Sequence, residues 1–467
     1  MPLRRTVIEG VELGAQLAAL RAELKVPGGF PSAATEAAVV AAKRDDWPEH
    51  EDATDIPMVT LDPPGSRDLD QAFFLERREG EGFRVTYAIA DVASFVTPGD
   101  PVDAEAHERG ETLYLPDGRV PLHPPTLSEG AASLLPGALR PAVLWRLDLD
   151  ARGELTATDV RRALVRSRGQ LDYPSFGEHG GELVGLLQHV GELRQQCERQ
   201  RGGVSLPVPE QVVSRVDDGW TLDYRAPLPV EGWNAQLSLL TGMAAAALML
   251  DAKIGLLRVM PPPDQHTVAS LRRSALALGV DWPTQASYAE VVRGLDATVP
   301  AQAAVIRLAQ VLFRGAGYVA FDGKLPEHVE QAAVAAPYAH ATAPLRRLAD
   351  RYVSECCLAT CAGRPVPEWV RAALPALPEV MAAADRRAHE VDRAVVDLAE
   401  ALVLEHRVGE TFRGVVVDAG DKGGSVQLLD PAVRARLKGA NLPLGKEVDV
   451  RLAEADVTTR RVTFTPA

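Results

Sequence analysis

Two periodicities divide the chain. From Val11 to Leu24 (VELGAQLAALRAEL) apolar residues recur at the spacing of a helix. The pattern breaks at Pro27-Gly28-Gly29 and restarts after Ser32, with Glu36 in the first turn. Residues 1–48 therefore predict a small helical module. A helix-turn-helix is one arrangement open to it, and plain helix packing meets the same pattern. From Ile56 the period shortens to two: IPMVTL, QAFFLE and FRVTYAIADVASFV read as strands, with a polar glycine-containing turn between the last two. Alternation continues from Leu139 to about Ser167. After about Gly177 the helical spacing returns, through LVGLLQHVGELRQQCERQ, WNAQLSLLTGMAAAALMLDAKI, Pro344 to Cys361 and Glu379 to His406. Strands first and helices later predict an α+β body over residues 49–405. Residues 406–467 then offer about five short strands with glycine turns, the size and rhythm of an OB β-barrel.

A chain of 467 residues exceeds what one hydrophobic core serves, which agrees with two or three domains. Its longest apolar stretch, LSLLTGMAAAALMLDAKIGLL, is interrupted by Asp251 and Lys253 and reads as a buried helix, so no membrane partner is expected. The first ten residues carry two arginines with no apolar core behind them and show no signal peptide. Four cysteines make a poor disulfide framework at this length, which suggests a cytoplasmic protein. The net charge of −14 argues against a surface coated in basic residues, yet permits a basic channel inside an acidic shell.

The candidate chemistry lies in DPPGSRDLDQAFF, where Asp62, Asp68 and Asp70 crowd into nine positions beside a Pro-Pro-Gly bend. If the chain is extended there, Asp68 and Asp70 point to one side and Leu69 to the other, and the bend can bring Asp62 to the same place. Carboxylates converging in one pocket repel by several kcal/mol at intermediate dielectric unless a cation cancels the charge. Arginines can do this, and so can a hard cation such as Mg²⁺, which in acidic sites usually serves phosphoryl chemistry. An acidic surface loop closed by Asx-turns fits the same spacing equally well.

A resemblance spread along the chain shifts that balance. VTLDPPGSRDLDQAFF resembles the signature of the ribonuclease II / ribonuclease R family, whose catalytic domain is called RNB. The block from YAIADVASFVTPGD to SLLPGALRPAV is similar to that family's long central segment; SRGQLDY, ERQRGGVSLPVPE, YAHATAPLRRLADRYV and AHEVDRAVVD resemble its later motifs in order. The last sixty or so residues look like the S1-type OB domain that ends these enzymes. The resemblance covers about residues 50–467. It implies an RNB catalytic domain flanked by the N-terminal helical module and a C-terminal S1-type barrel. The implied activity is processive 3′-to-5′ hydrolysis of single-stranded RNA to 5′-mononucleotides, with Mg²⁺ as cofactor and Mn²⁺ as substitute. A monomer needing no small-molecule cofactor is expected. Carried over by position, Asp62, Asp68 and Asp70 fall on metal-binding and catalytic aspartates, and Asp70 on the essential one. Arg346, with Arg347 beside it, falls on the arginine that stabilises charge on the scissile phosphate. Tyr114 falls on the tyrosine that stacks near the terminal base, and Glu390 on a glutamate lining the RNA channel.

The departures matter as much. The family's fourth aspartate is Gln71, which can offer a carbonyl oxygen to a metal but no charge. That loss weakens a second metal, and Asp91 is one candidate stand-in. The family's clamp phenylalanine is absent near Leu206, leaving one side of the base sandwich aliphatic. Only about fifty residues, helical in pattern, precede the aspartates, where the family carries two cold-shock domains. The rival expectation is an RNA-binding or regulatory protein on a catalytically decayed RNB scaffold.

Overall fold

The computed structural model describes residues 6–9, 13–80, 82–208, 210–216, 219–428, 430–431 and 433–467. Its centre is a seven-stranded sheet. Across it run the strands Gly169–Asp172, Val59–Asp62, Gln71–Arg77, Phe83–Ala90, Arg140–Leu149, Leu155–Val165 and Glu51–Asp52. The first two are parallel, with Asp172 opposite Asp62. The middle strands are antiparallel.

Both faces of this sheet are covered, and residue size decides what covers each. Phe73, Leu75, Val85, Tyr87, Ile89, Val143, Trp145 and Leu147 alternate onto the face that packs with the long helix Pro229–Ala252 and the helix Leu348–Cys361. Ala72, Ala88, Ala90, Ala142 and Ala163 alternate onto the other, joined by Leu144, Phe95 and Ala38 of the helix Ser32–Ala41. A strand buried on both faces reads as a nearly continuous apolar run, which is the pattern of FRVTYAIA. The Pro229–Ala252 helix is long and apolar enough to cross a membrane by composition, but half of that window is buried inside the protein.

The C-terminal strands Thr411–Gly420, Gly423–Leu428, Arg434–Leu437, Glu447–Asp456 and Arg461–Pro466 close into a five-stranded barrel, as the tail's rhythm predicts. Phe412, Val416, Val426, Leu452 and Phe464 fill it, with Ala401 and Leu404 from the preceding helix Leu377–Leu404.

The N-terminal expectation needs correction. The helices Gly14–Glu23 and Ser32–Ala41 exist, but they share no core and are not a helix-turn-helix. The first lays Leu13 and Leu17 on Leu398 and Leu402, and Leu20 on Leu113 and Val391. Its Arg21 grips Asp117 at 2.6 and 2.9 Å, and its Glu23 meets Arg460 of the barrel at 2.6 Å. The second helix packs on the alanine face of the sheet. Each helix is ten residues long, with a narrow apolar stripe that finds more surface on the body than on the other helix. Strand Thr6–Glu9, which falls within the residues 1–48 read as a helical module, pairs parallel with Glu210–Val216, whose hairpin partner is Gly219–Arg225. That hairpin falls within a stretch read as helical.

Candidate active site

The strand Val59–Asp62 ends on Asp62, and Pro63-Pro64-Gly65 turns the chain, with Gly65 at φ +77°. A side chain at that φ is disfavoured, so glycine fits the bend. Residues 66–70 belong to no helix or strand. Leu69 is fully buried in the alanine-face cluster; its N–H donates to Ser133 Oγ (3.0 Å) and its carbonyl accepts from Leu134 N–H (3.0 Å). Anchoring Leu69 inward fixes Asp68 and Asp70 on the opposite side, as a two-residue period requires.

Asp70 is buried, and each of its oxygens meets the loop that precedes the helix Leu348–Cys361. Leu345 N–H donates to Oδ1 at 2.7 Å and Arg346 Nε faces Oδ2 at 3.3 Å. The sequence reads Pro344 to Cys361 as continuous helix; the helix starts only at Leu348. Asp350 is the physical reason. It accepts the Ala343 N–H at 2.7 Å and grips Arg347 with both oxygens at 2.8 and 2.9 Å, holding residues 343–347 off the helical path. Arg346 is thereby aimed at Asp70 with about a third of its side chain (31%) still reaching solvent.

A third element closes the site. Strands Leu113–Leu115 and Gly118–Val120 form a tight hairpin in which Tyr114 pairs directly with Arg119. Cross-strand partners share one face. Arg119 Nη1 forms an ion pair with Asp68, while its Nη2 and Nε reach Glu129 at 2.9 and 3.3 Å. Tyr114 lies within the field of Arg346, Asp68, Asp70 and Arg119, and burial pushes its hydroxyl up to about 12.

The charge balance is uneven. Burial pushes Asp62 up to about 7, against the pull of Arg346 and with help from Asp68. Burial pushes Asp70 up to about 8, against Arg346 and the Leu345 N–H. Among the described residues no donor reaches the buried Oδ2 of Asp62. Arg346 alone does not offset the burial of these two carboxyls, and a divalent cation would supply the missing positive charge. Among the described residues no three acidic, histidine or cysteine side chains come together tightly enough to cage a metal alone. Mg²⁺ needs only one or two carboxylates when water and a phosphate complete its shell, so Asp62 and Asp70 fit such an ion.

Gln71 is not left open to a metal. Its Nε2 donates to the Thr342 carbonyl at 2.7 Å, and its Oε1 accepts from the Tyr87 hydroxyl and from Ser238 Oγ (3.4 Å). Asp91 is no stand-in either: it is buried with Ser94 (2.8 Å), Arg162 (2.9 Å) and His50 (3.3 Å) in a separate network. Arg347, expected beside RNA, is committed to Asp350. Leu206 packs half-buried against a cluster that includes Leu271, Val305 and Val415. Glu390 is exposed on Leu377–Leu404, whose Ala388 and Val391 pack against Leu113 of the Tyr114 hairpin. Arg346 and Asp68 act on Asp62, Asp70 and Tyr114 alike, so these five side chains share one neighbourhood.

Sequence reasoning missed Arg119, Glu129, Tyr173 and Asn234. Asn234 Nδ2 donates to the Tyr173 hydroxyl at 3.1 Å, beside Asp62. Arg119 was within reach: a two-residue Pro116-Asp117 connection places Tyr114 opposite Arg119 by counting alone.

Known proteins share this architecture. The RNB domain family matches residues 50–360, and the RNase II-type exonuclease C-terminal S1 domain matches residues 410–467. Ribonuclease R of Escherichia coli (strain K12) is 25% identical over 538 aligned residues, which take in 99% of this chain and 64% of that protein. The chain thus spans less than two thirds of that relative's length. Mycoplasma genitalium RNase R, solved with ribose-methylated single-stranded RNA, superimposes with a TM-score of 0.82 at 19% identity, covering 97% of this chain and 77% of that one. Yeast Ssd1, described as a pseudonuclease, superimposes with a TM-score of 0.65 at 16% identity over 93% of this chain and 53% of that one.

Proposed function

The chain belongs to the ribonuclease II / ribonuclease R family that carries the RNB domain, and on that premise we propose that it is a 3′-to-5′ hydrolytic exoribonuclease. Its substrate is single-stranded RNA, degraded processively to 5′-mononucleotides in the cytoplasm by a monomer that uses Mg²⁺ or Mn²⁺. One observation carries the reading: Asp62 Oδ2 is buried with no partner among the described residues, Arg346 and Asp68 act on both Asp62 and Asp70, and the guanidinium facing Asp70 still opens to solvent. That combination offers a cation-hungry acidic wall and a positive group where a phosphate arrives.

Asp62 and Asp70 would hold the divalent ion, which when bound would supply polarisation of the scissile phosphate and activation of a water near neutral pH. Arg346 donates to the phosphate oxygens as charge builds on them, and its low-dielectric setting strengthens that contact. Tyr114, presented on the hairpin beside these groups, stacks on the terminal base, a contact every base can make. Leu206 and Glu390 serve the RNA path away from the carboxylates.

The second reading, a decayed scaffold that binds RNA without cleaving it, draws on Gln71. A neutral amide tied to Thr342, Tyr87 and Ser238 stands where the family has a carboxylate. Incubating the purified chain with 5′-end-labelled oligo(A) and Mg²⁺ or Mn²⁺, with EDTA as control, separates the two. Stepwise shortening from the 3′ end, abolished by EDTA, is expected. Binding without shortening at either metal supports the decayed scaffold instead.

A further inference from the structure

A nuclease of this kind must hold one nucleotide by two contacts, Tyr114 on its base and Arg346 on its phosphate. The two side chains sit on different segments, and a single residue joins those segments. At the base of the Tyr114 hairpin the last strand pair is Leu113 with Val120. Pro121 follows, and without an N–H it cannot extend the ladder. The next donor, the N–H of the buried Leu122, goes instead to a side chain, Thr112 Oγ1, at 3.0 Å. Thr112 is itself only 3% exposed, and its own N–H donates to the Arg346 carbonyl at 2.9 Å. Beside it Glu111 bridges to Arg347, and the Leu348 N–H donates to the Gly110 carbonyl at 2.9 Å. The arginine loop is thus stitched to residues 110–112.

We propose, resting on the nuclease reading, that Thr112 is a positioning residue that sets the register of Tyr114 against Arg346. Its backbone N–H is fixed to the segment of one contact and its hydroxyl oxygen to the segment of the other. Three-residue strands are too short to hold a hairpin firmly by themselves. The tip of this hairpin is tied by the partly exposed Arg21–Asp117 pair, a weak tether. The Thr112–Leu122 bond is a buried anchor at its base. Without that bond the Leu122 N–H loses its partner inside the protein, and the chain leaving the hairpin shifts to find another. The span between the base contact and the phosphate contact then changes. A misplacement of about 1 Å is enough to slow a reaction by up to about a hundredfold.

Two substitutions in the full chain test this. Thr112→Val keeps the backbone bond to Arg346 and nearly the same volume but removes the acceptor, whereas Thr112→Ser keeps the acceptor. On oligo(A) with Mg²⁺, Thr112→Val is expected to lower kcat by roughly ten- to a hundredfold. KM stays near wild type, because RNA contacts away from the hairpin are untouched, and Thr112→Ser restores the rate. A purely structural role would lower the folded fraction and leave kcat per folded chain unchanged. The second readout requires no hydrolysis. RNA ending in 2-aminopurine is bound at saturation in EDTA, where stacking on Tyr114 quenches its fluorescence. Wild type and Thr112→Ser are expected to quench it fully, and Thr112→Val less. Wild-type kcat in Thr112→Val, a rate in Thr112→Ser as low as in Thr112→Val, or an equal quench in all three overturns the proposal. Should Thr112→Val not fold, Thr112→Cys decides by the same readouts, since its sulfur is a weak acceptor, and a wild-type rate or quench there counts against the proposal. If the expected quench pattern appears but the wild type shortens no RNA, the nuclease reading falls and the positioning role stands. Hydrolysis by the wild type with a quench that Thr112→Val leaves unchanged does the reverse.

Discussion

Two buried acidic clusters sit on the same sheet, and they answer burial in opposite ways. Around Asp91 the protein supplies its own cations and donors: Arg162 at 2.9 Å, Ser94 at 2.8 Å and His50 at 3.3 Å. Those contacts outweigh desolvation and hold Asp91 down to about 2. Around Asp62 and Asp70 desolvation wins, and the carboxyls rise to about 7 and 8. Burial alone therefore does not mark a functional acid. What marks it is burial left uncompensated by the protein's own atoms, because native interiors otherwise pair their charges.

The sharpest way to break this comparison is to neutralise one acid from each cluster. Asp70→Asn is expected to abolish release of nucleotides from oligo(A) while leaving RNA binding near wild type in a filter assay. Retained hydrolysis would overturn Asp70's role. The same variant should not destabilise the metal-free protein, since it removes a carboxyl that burial disfavours. Asp91→Asn should do the opposite. It leaves Arg162 half-paired among buried groups, at a cost of about 3–5 kcal/mol in denaturant unfolding. The fraction that folds keeps its hydrolytic rate.

The pH dependence of stability sharpens the contrast. Asp62 and Asp70 hold protons in the folded, metal-free chain that the unfolded chain releases near 3.8. Their contribution therefore lowers stability as pH rises from about 4 to about 8. Thermal melts should show this loss, Mg²⁺ should offset it most at the alkaline end, and Asp70→Asn should flatten it. Asp91, with its depressed pKa, contributes stability that is present above about 4 and lost as pH falls toward 2. A melting profile that moved identically in Asp70→Asn and Asp91→Asn would erase the distinction. The smallest expected effect is on the hairpin that carries Tyr114 and Arg119. Arg21→Ala removes a partly exposed pair with Asp117 and should change unfolding free energy by no more than about 1 kcal/mol.

Much of this was legible in order along the chain. Asp62, Asp68 and Asp70 lie within one bend and the segment after it, and alternation around a buried Leu69 sets which way they face. The strand runs, the long apolar helix and the five-stranded tail followed from periodicity, because each buries its own pattern locally. Two things misled. Apolar spacing after Gly177 hid the Glu210–Val216 and Gly219–Arg225 hairpin. Helical spacing from Pro344 hid the loop that delivers Leu345 and Arg346 to Asp70, because Asp350 captures the backbone there.

The sequence by itself determined the family, the order of elements and the identity of the acids that converge. These are properties of short-range pattern and of motifs read in register. Only the tertiary structure decided which polar groups are already satisfied. Gln71 is closed by Thr342 and Ser238, Asp68 by Arg119, and Asp91 by Arg162, through contacts 51 to 271 positions apart in the chain. Whether a buried carboxylate oxygen has a partner depends on atoms that meet only after the chain has folded, so no local pattern could have said that Asp62 Oδ2 would be left without one among the described residues.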